Sequence, residues 1–365
     1  MKRFINATLI LSAALFVISC AKTVSAGPND ANKRYLEAWM HVNGINMEST
    51  GLGIYILDNK DGDKNGAEIT RDGFALLDFK ITDLDGNITS YTGEEIAKQL
   101  GEYNSSEYYG PEFITTHEST IYAGVYNMLE GMKVGGYRKA LIPSWLLSYK
   151  SYSTEAEYLA QEASSTSSSI YEVYVRDFTD TVTNWELDSL ERFFRNDKIL
   201  IDGKPASQIF VNENGTPMDK TDTTQVEGFY YKQLSAPAST EKFSSDTAIF
   251  INYIGRTLDG RVFDTTYEKV AKDNNIYSSS RTYEPVQINW PSEAEDEGYD
   301  KITMGTDESE IISGFALTLW QMHAMEKGVG IFYSPLGYGS TGNGNSIPGY
   351  APLIFEIEVV AKPED

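Results

Sequence analysis

The sequence predicts a protein with two domains of the same α+β fold, each with an antiparallel β-sheet and one short helix. Runs of alternating apolar residues, which are typical of half-buried strands, stand on both sides of one helical pattern in each half of the chain. This order of patterns occurs twice, and weak internal duplication indicates two domains of one fold. The many aromatic residues, 24 Tyr and 16 Phe, also favour β-structure.

The repeated unit covers residues 46–180 and 226–362, and its clearest mark is a pair of similar strand-and-turn stretches. "FALLDFKITDLDGNIT" (74–89) corresponds to "TAIFINYIGRTLDGRVF" (247–263), and both contain Leu-Asp-Gly. The other corresponding segments are two helix candidates, 121–132 and 311–322, two strands ending in proline, 137–143 and 329–335, and two closing strands, 169–175 and 353–359.

A helical segment is predicted before each unit. Apolar residues recur at helical spacing over 32–42 and again over 184–194, where Asn184 is the expected N-cap. The predicted boundaries are a signal peptide (1–19), a tether with the first helix (20–45), the first domain (46–182), a helix with a linker (183–225) and the second domain (226–365).

The N-terminus has the pattern of a secretory signal: Lys2 and Arg3 precede an apolar run over 7–18. The run is shorter than the roughly 20 apolar residues of a membrane span. It ends in Val-Ile-Ser-Cys, which resembles a bacterial lipobox whose cysteine, Cys20, is lipidated. We therefore expect a lipid-anchored protein of the cell envelope, in the outer membrane and facing the periplasm or the cell surface. The alternative is a cleaved signal with an incidental cysteine.

Composition excludes several classes of site. The formal net charge of −23 argues against nucleic-acid binding, which requires clusters of Lys and Arg. Cys20 is the only cysteine and the three His are scattered, so neither a disulfide framework nor a metal site is expected. The stretch "DGDKNGAEITRD" (61–72) begins like a calcium loop, but its flanks are strand-like, and an acidic hairpin turn is the favoured interpretation.

The second unit resembles FKBP-type peptidyl-prolyl cis-trans isomerases. The resemblance rests on four stretches in order: "INYIGRTLDGRVFDTT" (251–266), "EIISGF" (310–315), "PLGYGSTG" (335–342) and "IPGYAPLIFEIEVV" (347–360). It implies, for each unit, a twisted antiparallel sheet wrapped around a short helix, with the substrate proline bound between helix and sheet.

The resemblance also implies a set of site residues in the second unit. Tyr253, Asp264 and Tyr338 take the catalytic positions. The implied substrate-binding residues are Phe263, Ile311, Ile312, Phe315, Ile347 and Phe355. Most family members have Trp at the position of Phe315, so we expect only weak binding of macrolide-type inhibitors. The aromatic side chain that the family places between Asp264 and Glu310 is not assigned here; Val286, Ile288 and Ile302 are the candidates.

These residue types suit isomerisation without a cofactor. Rotation about an X-Pro bond has a barrier of about 18–20 kcal/mol, and the twisted transition state has lost amide resonance. An apolar aromatic pocket favours this less dipolar state over the planar amide. The Tyr338 hydroxyl could donate a hydrogen bond to the client, and Asp264 could orient the Tyr253 hydroxyl.

The first unit lacks these groups. Thr89 and Ser90 replace Phe263 and Asp264, Phe79 replaces Tyr253, and Val125 replaces the aromatic floor. In place of the glycine loop with its tyrosine stands "EASSTSSS" (162–169). We interpret this unit as a degenerate FKBP-like domain that holds clients, dimerises or spaces the second domain from the membrane.

The predicted function is peptidyl-prolyl cis-trans isomerisation that assists the folding of envelope proteins, with proline-containing proteins as clients. Two alternatives remain open from the sequence: a non-catalytic FKBP-like chaperone or protein-binding lipoprotein, and an adhesin or glycan-binding lipoprotein. The abundant tyrosines are compatible with the last.

Overall fold

The structure is a computed structural model that describes residues 28–148, 154–160, 166–292, 294 and 298–363. The predicted signal peptide and Cys20 lie outside these residues, as do residues 162–165 of the serine-rich segment and 293 and 295–297 of the acidic segment 291–300. Among the described helices, none has both the length and the apolar character needed to cross a membrane.

The first unit contains the predicted strands and helices in the predicted order. In chain order the elements are α1 (Pro28–Val42), β1 (Tyr55–Lys60), β2 (Phe74–Asp83), β3 (Ile88–Tyr91), α2 (Glu94–Leu100), β4 (Glu112–Thr115), α3 (Ala123–Leu129), β5 (Tyr137–Ile142), a 3-10 turn (Ser144–Leu146), α4 (Glu155–Leu159) and β6 (Ser169–Thr179). All strand pairs are antiparallel, in the order β1-β5-β6-β2-β3, and β4 also pairs with β2.

A helical connection joins the two sheets. It consists of α5 (Val182–Phe193), a two-stranded hairpin of β7 (Leu200–Ile201) and β8 (Lys204–Pro205), and α6 (Ala206–Ile209). The predicted N-cap at Asn184 is wrong: α5 begins two residues earlier, with Thr181 at the N-cap position, because the buried Val182 already belongs to the apolar face of the helix.

The second unit repeats the first. Its elements are β9 (Phe229–Gln233), β10 (Thr247–Thr257), β11 (Val262–Thr265), α7 (Glu268–Asp273), β12 (Val286–Trp290), a 3-10 turn (Tyr299–Lys301), β13 (Thr303–Met304), β14 (Ser309–Glu310), α8 (Ser313–Gln321), β15 (Lys327–Phe332), a 3-10 turn (Ser334–Leu336) and β16 (Leu353–Val360). The order is β14-β13-β12-β10-β16-β15-β9, with β11 on β10, and all pairs are antiparallel. The predicted α+β class with two antiparallel sheets is confirmed, whereas the domain boundaries stay a prediction.

The strand registers show the duplication in detail. Phe79 pairs with Val173 on β6, and Tyr253 pairs with Ile357 on β16. In both units a threonine 13 residues further along the chain accepts a hydrogen bond on its side chain from the amide of this residue: Thr92 from Phe79 at 3.0 Å and Thr266 from Tyr253 at 2.9 Å. The two units therefore share backbone geometry at the place where their side chains differ most.

Two glycines allow helix α8 and strand β15 to pack closely. A Cβ atom on Gly314 would lie 2.4 Å from the ring of Phe332, and one on Gly330 would lie 1.9 Å from Thr318 Oγ1. Only glycine leaves room for these two side chains at such short range. Gly124 takes the same role in the first unit, where a Cβ would lie 2.5 Å from Ile142. The apolar core of each unit lies between this helix and the sheet.

The helices that precede each unit cover the opposite face of its sheet. Leu36 of α1 packs with Leu141 of β5 and with Leu84 of the first Leu-Asp-Gly turn. In the connection, the buried side chains of α5 and α6 pack with Ile331 of β15 and with Leu258 of the second such turn. Each sheet is thus covered on both faces, which explains why a helical segment stands before each unit.

A buried carboxyl group ties helix α5 to the loop that follows β15. Glu186 accepts hydrogen bonds from the Ser334 amide at 2.5 Å and from its hydroxyl at 2.7 Å, and only 1% of the Glu186 surface is exposed. Burial raises the pKa of Glu186 to about 7, although the hydrogen bonds from Ser334 oppose the shift. This contact fixes the first residue of the glycine loop.

We predict that Glu186 makes stability depend on pH. Its pKa is higher in the folded chain than in the unfolded one, so its contribution is complete below about pH 4.5 and is lost as the pH rises towards about 7. The loss is on the order of 2–3 kcal/mol. Glu186→Gln keeps the shape and an acceptor, and urea unfolding at pH 5 and pH 8 should show a flatter dependence than in the wild type. An identical dependence in both proteins would contradict the assignment.

Candidate active site

Three aromatic rings from three elements form the floor of a site in the second unit. Phe315 of α8 stands edge-on to Phe355 of β16 at 4.9 Å between ring centroids, and edge-on to Tyr253 of β10 at 5.5 Å. Tyr253 and Phe355 are 6.1 Å apart. All three side chains are almost fully buried. Edge-to-face packing of this kind holds rings rigidly, so the floor is preorganised.

The other predicted apolar residues surround this floor. Phe263 of β11 contacts Phe355 edge-on at 5.6 Å. Ile311 and Ile312 come directly before α8, with Ile312 at its N-cap position, and both are half-buried against the same core. Ile347 follows the glycine loop and is buried in this cluster as well. The structure therefore brings together all six residues that the resemblance assigns to substrate binding.

A polar network lies at one edge of the aromatic floor. The Tyr253 hydroxyl donates to Asp264 Oδ2 at 2.5 Å. Arg281 forms an ion pair with Asp264 Oδ1, and its Nη2 lies 3.4 Å from the Tyr253 hydroxyl oxygen. Burial raises the pKa of Tyr253 and the Asp264 charge raises it further, so the phenol stays protonated. For Arg281 burial acts in the opposite direction, but the hydrogen bond and charge of Asp264 leave its pKa raised.

Sequence reasoning missed Arg281. It lies in the irregular stretch between α7 and β12, where neither a strand nor a helix pattern indicates the direction of a side chain. Its guanidinium stands 5.5 Å from the ring centroid of Tyr283, which stacks on Tyr277. No sequence signal singles it out, because Arg261, Lys269 and Lys272 lie closer to the Phe263-Asp264 pair along the chain.

Tyr338 stands in the glycine loop, half-buried against the aromatic cluster. Burial raises the pKa of Tyr338, a hydrogen bond with the Asn343 side chain lowers it, and the charge of Asp264 raises it further. The phenol is therefore protonated near neutral pH and can donate a hydrogen bond.

Gly255 was also missed, although it determines whether the aromatic site can form. A Cβ at this position would lie 2.7 Å from the ring of Phe263 and 3.0 Å from the ring of Phe355. In the register of the first unit, Ile81 occupies the corresponding position on β2, opposite Ser90. A glycine inside a strand is a known signal of a close approach, and here the approaching groups are aromatic rings.

The first unit retains a pocket but lacks the polar network. The pocket has a volume of about 90 Å³ and an apolar lining of Leu77, Phe79, Ile81, Ile114, Val125, Leu129, Tyr171 and Val173. Ser90 stands at the place of Asp264, and Glu107 stands at the place of Arg281, in a turn with the same tyrosine stack. Neither the carboxylate nor the cation of the second site is therefore present.

The structure gives the surroundings of two features that the sequence left open. Of the three residues considered for the segment after Asp264, Ile288 and Ile302 lie fully in the core and only Val286 is half-buried. The acidic stretch 61–72 is held by backbone hydrogen bonds, from the Asp63 amide to Val134 and from the Gly66 amide to Asp63. Among the described residues, no group of three or more His, Cys, Asp or Glu is placed to hold a metal ion.

Comparison with known proteins supports the assignment of the second unit. Residues 292–360 match the family described as FKBP-type peptidyl-prolyl cis-trans isomerase. This match confirms the family resemblance and the enzyme class predicted from the sequence, and it lies within the C-terminal unit. No match to the sequence was found among curated proteins.

Solved structures similar to this chain include several FKBP proteins. The three FKBP domains of wheat FKBP73 are 13% identical, with 86% of this chain and 94% of that chain covered and a TM-score of 0.27. A peptidyl-prolyl cis-trans isomerase from Pseudomonas syringae is 23% identical (50% and 97% covered, TM-score 0.27), and FkpA from Escherichia coli is 21% identical (49% and 73% covered, TM-score 0.28). With TM-scores this low, the assignment rests on the family match and the site geometry.

We predict that Gly255→Ala disturbs the aromatic floor, because the new methyl group would displace the rings of Phe263 and Phe355. Overpacking of this kind costs about 1–3 kcal/mol of stability. Urea unfolding and near-ultraviolet circular dichroism should show a loss of stability and of aromatic signal. The matched control is Gly51→Ala, where the methyl group meets nothing within 4 Å. Equal stability of the two variants would refute the steric role of Gly255.

Proposed function

We propose that the C-terminal domain catalyses cis-trans isomerisation of X-Pro bonds in protein clients, and that the aromatic floor with its polar edge is the catalytic site. The observation that carries this proposal is the joint placement of Tyr253, Phe315 and Phe355 beside the Tyr253–Asp264–Arg281 network. The first unit has an equivalent apolar pocket without this network. The network is therefore the feature by which the proposed catalytic site differs from a general apolar site.

The chemistry requires positioning and solvation only. The proline ring would lie on the buried aromatic floor, where water is excluded and the twisted amide is favoured over its planar ground state. Tyr338, protonated and half-buried at the rim, would donate a hydrogen bond to a client carbonyl. Asp264 and Arg281 would hold the Tyr253 hydroxyl in one orientation. No covalent bond is made or broken.

The cellular setting follows from the N-terminal sequence. A signal pattern ending at Cys20 supports attachment to the cell envelope through a lipid, in the outer membrane. Covalently bound acyl chains anchor a protein by burying their methylene groups, and two or more chains are needed for stable attachment. The clients would be proline-containing proteins that fold in that compartment. Macrolide-type inhibitors would bind weakly, because Phe315 offers a smaller surface than Trp.

A non-catalytic chaperone is the second candidate, and the apolar pocket of the first unit favours it. This pocket has the location of a proline site but offers no polar group corresponding to Asp264 or Arg281. It could hold an apolar client side chain without accelerating rotation. Both activities can be present in one protein, with the first domain binding and the second isomerising.

We predict that the full-length chain accelerates cis-to-trans conversion of an X-Pro peptide. Tyr338→Phe should lower kcat/KM about fivefold, since one neutral hydrogen bond is worth about 1 kcal/mol. Asp264→Ala should lower it about tenfold or more, because it frees both Tyr253 and Arg281. The measurement is a protease-coupled or NMR exchange assay.

The matched control is Ser90→Ala, which changes the equivalent position of the first unit and should leave the rate as in the wild type. If the wild-type chain is no faster than buffer, catalysis is refuted. Suppression of the aggregation of an unfolding client would then identify the chaperone function.

We predict that Cys20→Ser releases the protein from the membrane fraction of an expressing bacterium and abolishes labelling by radioactive palmitate. Without the acyl chains, the mature chain, from which the signal with Lys2 and Arg3 has been removed, is strongly acidic and is not attracted to an anionic lipid surface. A wild-type protein that carries no label and stays in the aqueous fraction would contradict the lipid anchor.

A further inference from the structure

A cleft lies between the two domains, next to the candidate active site. Its volume is about 450 Å³, within the range of roughly 300–1,000 Å³ of ligand sites. One wall comes from the first domain, with Tyr91, Glu107, Tyr109 and Glu112. The other wall comes from residues 340–350 of the second domain, the loop that follows Tyr338 and leads into β16.

The cleft and the aromatic site share one residue. Ile347 lines the cleft and also belongs to the buried cluster that contains Phe315 and Phe355. A client proline on the aromatic floor is part of a longer chain that must continue on both sides. Because Ile347 belongs to both, the cleft lies beside the aromatic cluster, where a flanking client segment would be within reach.

Contacts between the domains hold the loop wall in place. The Tyr108 amide donates to the Asn345 carbonyl at 2.7 Å, and Arg261 donates to the Ser346 carbonyl while its guanidinium stands 5.6 Å from the centroid of the Tyr108 ring. The Nε and Nη1 atoms of Arg261 are buried without a hydrogen-bond partner among the described residues. Attraction between the guanidinium and the face of the Tyr108 ring offsets part of the free-energy cost of burying these atoms. The loop is thus fixed by the first domain as well as by its own.

An aromatic contact strengthens this connection. Tyr350 inserts between Phe74 and Phe113 of the first domain, with 5.7 Å between ring centroids in each case. Its backbone is left-handed, with φ of 60°, a conformation that a bulky residue adopts only when its surroundings enforce it. The cleft is therefore built from both domains and not by the loop alone.

The lining of the cleft indicates the chemistry of its occupant. Glu107 and Glu112 are half-buried carboxylates in its wall, and burial raises the pKa of Glu112. Tyrosine rings beside carboxylates suit a long cationic side chain, which can place its stem on a ring and its charge at an oxygen. Glu107 also stands at the position that Arg281 has in the second domain, so the first domain presents the opposite charge.

We propose that this cleft binds the client segment that flanks the isomerised proline, and that it selects segments with Lys or Arg. The proposal rests on the proposed isomerase function, because the neighbouring proline site supplies the continuous client chain. It gives the degenerate first domain a direct part in substrate selection: this domain supplies the carboxylates, and the second domain supplies the catalytic groups.

The test uses the full-length chain and three peptides: a four-residue X-Pro peptide, a twelve-residue peptide with lysines on both sides of the same core, and its twin with glutamates. We expect kcat/KM for the lysine peptide to exceed that of the short peptide at least fivefold, and the glutamate peptide to show no gain. In the double variant Glu107→Gln/Glu112→Gln, the ratio of kcat/KM for the lysine peptide to kcat/KM for the short peptide should fall towards one. The matched control, Glu213→Gln/Glu241→Gln, removes two exposed carboxylates elsewhere and should keep the ratio.

Binding of the fluorescent lysine peptide, followed by anisotropy, separates failure of this proposal from failure of the isomerase. If the wild type does not accelerate isomerisation of even the short peptide, the isomerase function is refuted. Even then, a Kd weakened about fivefold in Glu107→Gln/Glu112→Gln, but not in the control variant, supports binding of the lysine peptide in the cleft. An equal Kd in the wild type and the cleft variant, or an unchanged ratio of rates, overturns the proposal. Thermal unfolding of each variant establishes that it is folded.

Discussion

The direct contact between helix α8 and strand β15 is the constraint on which the second domain depends. Gly314 leaves room for the ring of Phe332, and Gly330 leaves room for the side chain of Thr318. Helix α8 therefore packs closely on the sheet, with Phe315 against Tyr253 and Phe355. A larger residue at either glycine would lift the helix away from the sheet. The aromatic floor depends on this packing, because Phe315 directly follows Gly314 in α8.

The two domains show how one backbone supports two different sites. Their strand orders and threonine hydrogen bonds agree, yet Gly255 corresponds to Ile81 and Asp264 to Ser90. These differences are linked physically. The ring of Phe263 occupies the space above Gly255, and where Thr89 replaces that ring, an isoleucine can fill the space instead. The first domain thus keeps a packed core and an apolar pocket while lacking the groups for isomerisation.

The contact between the domains joins these two halves into one functional unit. The loop that carries Tyr338 is held at its start by Glu186 of the connecting helix, and further along by Tyr108 of the first domain. Preorganisation of the rim reduces the entropy that client binding must overcome. Under the proposed function, the first domain would influence catalysis in its neighbour through the shape of this loop and through the cleft beside it.

The sequence alone indicated the duplicated α+β architecture, because strand periodicity is a local property. The family resemblance of its short motifs implied six apolar and three polar candidate positions of the site. It did not indicate Arg281 or Gly255, nor that Tyr350 would pack between two rings of the first domain. Only the tertiary structure decided these. Each of these features depends on residues that are distant in sequence: the ion pair of Arg281, the rings that limit the side chain at Gly255 and the contact of Tyr350 with the other domain. A local sequence pattern does not indicate which distant residues will meet.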